Sequence, residues 1–305
     1  REAPELLKKN AAVRPLLISK KVADKEMWIA LYVDDLLMAG HSELIEPFVK
    51  DISKEYVIRD LGVPEVFLGC EIHRSEDRKS IEIKCEKYIE SMTKKFGLLE
   101  MAKQKPCRTP LDPQAKLTIE DQSPKGSTVD PTLYRGYVGS VLYAAQTCRP
   151  DIAYAVKELS RFLVEPLQAH LNAAQRLVCY LHGSKEMSIK YTAPKNNEAG
   201  TFSFKTLWND HCLDEINGYS DADWAGELPG RKSTSGYVFM INGGAVSWKS
   251  QTQPVVALST AEAEYVAISE AAKEALYLRK ILAEFKQMSE RLVVLFEDNS
   301  AAATW

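Results

Sequence analysis

Tyr32-Val33-Asp34-Asp35 sets two adjacent carboxylates between two apolar runs, Trp28-Ile29-Ala30-Leu31 and Leu36-Leu37-Met38-Ala39. Neighbouring like charges repel, so one of the two acids stays protonated unless a divalent cation such as Mg²⁺ favours ionising both. A solvated turn, where Asp is common, gives the same string. A second set of acids is spread over the last third of the chain: Asp221 in Tyr219-Ser220-Asp221-Ala222-Asp223-Trp224, Glu264 in Thr260-Ala261-Glu262-Ala263-Glu264-Tyr265, and Asp298 after the run Arg291 to Phe296. Three carboxylates from separate elements that meet at a sheet end describe a two-metal phosphodiester site. Asp223 shares the strand face of Asp221 and could support it from behind. Glu262 lies on a different helix face from Glu264 and suits the positive helix N-terminus instead.

The elements that must position these acids follow from periodicity and punctuation. Each apolar run beside Asp34-Asp35 is short enough for a strand, which predicts a hairpin with the acids at its tip. Ser42 is expected to cap a helix through Leu44, Phe48, Ile52 and Tyr56. Val66 to Ile72 and Ser80 to Ile83 read as strands. Cys85 to Phe96 reads as an amphipathic helix stopped by Gly97, with Tyr88, Ile89, Met92 and Phe96 on one side and Lys87, Lys94 and Lys95 on the other. The prolines from Pro106 to Pro131 mark a connector and a domain boundary. Three helices are expected next, over Tyr134 to Gln146, Asp151 to Leu163 and His170 to Leu181, and then an irregular linker over Tyr191 to Ile216. The last segment predicts strands at Gly218 to Trp224, Gly236 to Ile241 and Ala245 to Lys249, the latter two joined by Asn242-Gly243-Gly244. A helix from Thr260 to about Phe285, capped by Thr260 or Ser259, and a strand from Arg291 to Phe296 complete it. Trp224, Trp248 and Trp305 read as packing residues.

With 305 residues, 45% hydrophobic and 27% charged, the chain fits two or three globular domains and excludes collagenous and disordered classes. No apolar run approaches a bilayer span and the start is not a signal peptide, so no membrane partner is expected. The net charge of −3 is unevenly spread: Arg78 to Arg108 carries a local +5 and Asp214 to Trp305 a local −5. A basic stretch can hold phosphates and an acidic one cations, although both patterns also describe solvated faces. The six cysteines lack pair spacing, which points to reduced thiols; Cys70-x-x-His73 and Cys179-x-x-His182 each offer only two zinc ligands.

Eight motifs in a fixed order resemble the copia-type LTR retrotransposon polyprotein: Tyr32 to Gly40; Phe67-Leu68-Gly69-Cys70-Glu71-Ile72; Tyr134-Arg135 with Val138-Gly139-Ser140-Val141-Leu142-Tyr143; Thr147 to Val156; Tyr219 to Gly226; Arg231 to Tyr237; Leu258 to Tyr265; and Asp298-Asn299-Ser300-Ala301. The resemblance implies an α+β chain. Its parts would be a partial reverse transcriptase palm and thumb over 1–110, a helical connection region with linkers over 111–213, and a truncated ribonuclease H-like mixed sheet with helices over 214–305. It makes Asp34 and Asp35 the palm pair, Phe67-Leu68-Gly69 the primer-grip strands, and Lys84 to Phe96 the thumb helix. Leu68, Gly69, Lys84, Lys87, Lys94 and Lys95 would then face nucleic acid. Asp221, Glu264 and Asp298 become metal-binding, catalytic acids of ribonuclease H. Two Mg²⁺ or Mn²⁺ per catalytic site, template-primer and RNA–DNA hybrid as partners, and hydrolysis of the RNA strand are implied with them. So are other polyprotein products or a second reverse transcriptase subunit as partners, a role leading to DNA integration, and a cytoplasmic virus-like particle or the nucleus as location.

Departures from the pattern set limits. The chain has no initiator Met, nothing from Arg1 to Met27 reads as the upstream palm strand with its third Asp or as fingers, and Trp305 precedes the fourth ribonuclease H acid. A chain truncated at both ends is expected, without polymerisation of its own. The tract Lys195 to Glu215 is longer than the usual link and reads as an insertion or a frame-damaged copy. Two functions compete: a nucleic-acid enzyme fragment, and a non-catalytic remnant that binds nucleic acid or protein without turnover.

Overall fold

The computed structural model describes residues 16–23, 25–104, 106–114, 117–118, 129–193, 216–224, 226, 231–284 and 293–304. The expected insertion at Lys195 to Glu215, Trp305, and the helix end near Phe285 lie outside them. Contacts divide the chain into two compact units, Arg1–Phe67 and Leu68–Trp305.

In the first unit, β1 (Leu16–Val22), β2 (Lys25–Tyr32) and β3 (Asp35–Gly40) form an antiparallel sheet in that order. Helix α1 (Ser42–Ile52) packs on it, and Ile18, Met27, Ile29, Phe48 and Ile52 make the small core. The strand that precedes Met27, Leu16–Val22, carries no carboxylate. One expectation changes here. His41, not Ser42, occupies the N-cap of α1, and its ring bonds to the Glu26 backbone rather than to the helix. The unit closes with the short strand β4 (Val66–Phe67).

The second unit begins at a backbone kink. Leu68 and Gly69 both take left-handed φ, +48° and +74°, which splits the single strand expected from Val66 to Ile72. Strands β5 (Cys70–Arg74), β6 (Ser80–Lys84) and β7 (Ile189–Thr192) then pair antiparallel, with Ile83 opposite Ile189 and Ser80 opposite Thr192. The beginning of the expected linker at Tyr191 is therefore part of a strand. A four-residue segment with only Ile189 fully buried shows too little alternation to be recognised without its partner about a hundred residues earlier.

Helices α2 (Glu86–Lys95), α3 (Leu99–Gln104), α4 (Pro131–Thr147), α5 (Ala153–Ser160) and α6 (Gln168–Gly183) share the largest core, built around Tyr134, Val141, Leu159 and Leu177. Asp130 caps α4, accepting from the Thr132 amide at 2.8 Å, with Pro131 supplying the preset φ of a first helical residue. A 3-10 turn at Pro150–Ile152 precedes α5.

The last layer is a four-stranded sheet in the order β10 (Gly244–Thr252), β9 (Thr234–Ile241), β8 (Asn217–Asp223), β11 (Val294–Phe296), antiparallel except for the β8–β11 pair. Helix α7 (Thr260–Glu284) covers one face, with Ile216, Phe239, Ala271 and Leu278 between helix and sheet. The helical block meets β10 and β9: the Trp248 indole donates to the Ala145 carbonyl at 2.6 Å and Lys157 Nζ to Thr234 Oγ1 at 2.8 Å. Gly218 lets Phe239 cross β8, since a Cβ there would lie 2.3 Å from the buried ring. A short helix α8 (Ser300–Ala303) ends the described chain, capped by Asn299 Oδ1.

Candidate metal centre

Register brings the C-terminal acids together. β8 and β11 run parallel with Tyr219 opposite Phe296, so Asp221 and Asp298, each two residues further on, emerge level at the same sheet end. Helix α7 crosses this end through its first turns and delivers Glu264. Ser259 Oγ accepts from the Glu262 amide at 3.2 Å, and the Glu262 carboxylate accepts from the Leu258 amide at 2.7 Å, so the helix start is fixed by its own capping groups. Glu262 is thus occupied at the N-terminus and turned away from the cluster.

One ligand oxygen from each of Asp221, Glu264 and Asp298 lies within 4.8 Å of the other two. Glu264 is 7% exposed while both aspartates are open to solvent. Burial, then the charges of Glu297, Asp221 and Asp298, push the Glu264 carboxyl up to about 7, against a hydrogen bond from the Ala222 backbone that favours ionisation. Two full charges at that separation repel by roughly 3–4 kcal/mol at an effective dielectric near 20. The buried Glu264 Oε2 has no hydrogen-bond partner. An all-oxygen, negatively charged set with one orphaned buried oxygen fits a hard divalent cation of the Mg²⁺ or Mn²⁺ kind.

Two neighbours were not singled out in the sequence. Glu297 is held by Ser220 Oγ, which donates to it at 2.8 Å, and by the Asn299 amide at 3.2 Å, so its carboxylate braces the turn that presents Asp298. Adjacency of Glu297 to Asp298 and of Ser220 to Asp221 was the available signal. Asp223 stands outside the cluster, its carboxylate filling the space where a side chain at Gly226 would project. Trp224 is exposed, and its indole donates to the Ala257 carbonyl at 3.1 Å.

The other acids sit apart. Asp34 and Asp35 are exposed at a two-residue hairpin turn in which Tyr32 pairs with Asp35 and Val33 takes φ +52°. A β-branched residue in that region is strained by about 1–3 kcal/mol, a feature found at functional turns. Among the described residues, no third metal-ligating side chain gathers with this pair.

The basic residues divide. Lys84 is largely buried and its ammonium is held by Glu86 at 2.6 Å and Glu186 at 3.6 Å, which leaves it less available to a phosphate than the sequence suggested. Lys87, Lys94 and Lys95 are exposed on α2, with Lys95 over the Phe96 ring. The Leu68 carbonyl accepts from the Tyr143 hydroxyl, which also lies 2.7 Å from where a Gly69 Cβ would be; that contact and the positive φ both require glycine. Neither Cys-x-x-His pair belongs to a metal-ligating group among the described residues, and no described helix is long and apolar enough to cross a membrane.

Residues 6–113 match the reverse transcriptase (RNA-dependent DNA polymerase) family. The retrovirus-related Pol polyprotein from transposon TNT 1-94 of Nicotiana tabacum is 36% identical over 296 residues, 94% of this chain and 20% of that protein. A transposon Ty5-1 protein of Saccharomyces cerevisiae is 35% identical over 260 residues, 85% of this chain and 77% of that protein. The Pol polyprotein from transposon RE1 of Arabidopsis thaliana is 31% identical over 277 residues, 90% of this chain and 17% of that protein. The chain thus spans about a fifth of the length of the Pol polyproteins it matches. No solved structure gives a significant match. Similarity along most of this chain and most of the Ty5-1 protein places it, as the eight ordered motifs implied, in the copia-type retrotransposon Pol polyprotein family.

Proposed function

We propose that this chain carries a ribonuclease H-like centre that hydrolyses the RNA strand of RNA–DNA hybrids, joined to the palm hairpin of an RNA-directed DNA polymerase. The observation that carries the reading is the convergence of Asp221, Glu264 and Asp298 within 4.8 Å, with a buried Glu264 oxygen left unpaired. Asp221, Glu264 and Asp298 would hold Mg²⁺ or Mn²⁺. When bound, a metal pair supplies an activated water and neutralises charge developing on the phosphate and its leaving oxygen. Ser220 and Glu297 would keep Asp298 in place, and the α7 cap would keep Glu264 facing the strand ends. The two exposed aspartates leave the centre open on the side from which a duplex arrives. Recognition would rest on hybrid backbone shape and 2′-hydroxyls.

The same reading assigns Asp34 and Asp35 to the polymerase centre and places palm and thumb within 1–110, the connection region within 111–213 and the ribonuclease H-like part within 214–305. Lys87, Lys94 and Lys95, exposed along α2, would track the duplex backbone, with Lys84 aligning the helix start through Glu86. Incubation with a labelled RNA–DNA hybrid and Mg²⁺ is expected to give RNA fragments with 3′-hydroxyl ends. Asp221→Asn is expected to give none, and equal cleavage by both proteins would exclude the centre.

A further inference from the structure

Acids that repel one another must be held at their separation by other groups. Gln253, one residue past β10, is 1% exposed. Its Nε2 donates to Ser235 Oγ at 2.9 Å and to the Ala263 carbonyl at 2.8 Å, and its backbone amide donates to the Ser233 carbonyl at 2.8 Å. Ala263 directly precedes Glu264 on α7. Ser235 lies opposite Ala222 in the β8–β9 ladder, and Ala222 follows Asp221 and offers its backbone amide to Glu264. One amide side chain therefore closes a circuit from strand β8 through β9 to the helix and back to the acids: Ala222, Ser235, Gln253, Ala263, Glu264.

The other half of that amide is costly. Gln253 Oε1 is buried without a hydrogen-bond partner, a loss of about 1–3 kcal/mol that an apolar side chain of the same length would avoid. Methionine would remove that cost and leave the buried Ser235 Oγ without this donor, so stability alone selects neither side chain. What glutamine adds is a fixed distance between the sheet and the backbone of residue 263, where small displacements change the separation of the ligand oxygens.

We propose that Gln253 is a positioning residue for the acidic centre, setting the distance of Glu264 from Asp221 and thereby the affinity of the site for a divalent cation. The inference rests on the reading of Asp221, Glu264 and Asp298 as a cation site. Groups that orient metal ligands from behind typically contribute about 10–100-fold in metal affinity.

The test is calorimetric titration of the whole chain with Mn²⁺, beside thermal melting without metal. Gln253→Met keeps the volume and removes the donors. It is expected to melt close to the parent and to bind Mn²⁺ at least about 10-fold more weakly. A merely structural role would lower the melting temperature and leave the affinity of the folded protein unchanged, and that result overturns the proposal. Should Gln253→Met not fold, Gln253→Asn, which keeps the polarity and loses the reach, is judged by the same affinity. A parent that binds no Mn²⁺ overturns the cation-site reading together with this inference; equal binding by parent and variant overturns this inference alone.

Discussion

Arg149→Ala is expected to destabilise the second unit by about 2–5 kcal/mol, the cost of emptying the buried space its side chain fills and of losing its charge-assisted hydrogen bonds. Arg149 is 1% exposed. Its Nε and Nη2 donate to the two oxygens of Asp151 at 2.8 and 2.7 Å, and its remaining donors reach the Ser184 carbonyl at 3.1 Å and Ser184 Oγ at 2.7 Å. The Tyr180 hydroxyl donates to the same Asp151 carboxylate at 2.8 Å. This network ties the turn before α5 to the C-terminal end of α6, where unpaired carbonyls welcome a cation. Burial alone would raise the Asp151 carboxyl, but the Arg149 guanidinium and the Tyr180 hydroxyl outweigh it and hold the group below its ordinary value of 3.8. A carboxyl lowered on folding contributes stability above its unfolded value. The contribution is therefore complete above pH 3.8 and is lost as the pH falls below it. Denaturant melts of parent and Arg149→Ala at neutral pH measure the loss directly. A variant within about 1 kcal/mol of the parent would show that the buried guanidinium is replaceable by water.

Glu264→Gln should separate stability from function. The amide keeps the shape of the carboxyl and removes its charge, and the charge is opposed by burial and by Glu297, Asp221 and Asp298. The metal-free variant is accordingly expected to melt no lower than the parent. Hydrolysis of an RNA–DNA hybrid should fall by more than about 100-fold, beyond the effect of losing a group that merely supports a metal ligand. Mg²⁺ should raise the melting temperature of the parent, by about 2.7 kcal/mol of stabilisation at a hundredfold excess over its dissociation constant, and leave the variant unmoved. A variant that melts well below the parent without metal would mean that Glu264 supports the fold instead.

The two sites were unequally legible. Asp221, Glu264 and Asp298 could be found because each ends or opens a strongly patterned element: an alternating strand, a capped helix, and an apolar run after it. Parallel pairing of β8 with β11 then aligned two of them without further information. Glu297 and Ser220 were missed since their role appears only when strands far apart in sequence pair. Gln253 was invisible for a similar reason, its partners Ser235 and Ala263 belonging to different elements on either side of it. The Arg149-Pro150-Asp151 stretch announced a helix start but not its bidentate pair, because the receiving Ser184 lies at the end of another helix. The break at Leu68-Gly69 was hidden inside an apolar string, since a leucine with positive φ contradicts local preference and is held by Tyr143 from α4. The family resemblance added residue roles that periodicity does not contain, and it attached Lys84 to a phosphate-facing set although Glu86 and Glu186 hold its ammonium.

The most direct test of the acidic centre is Mn²⁺ binding followed by electron paramagnetic resonance in the parent and in Asp221→Asn, Glu264→Gln and Asp298→Asn. Saturable binding in the parent that is lost or greatly weakened in each of the three variants is the predicted result. Binding that survives all three substitutions unchanged would contradict the assignment.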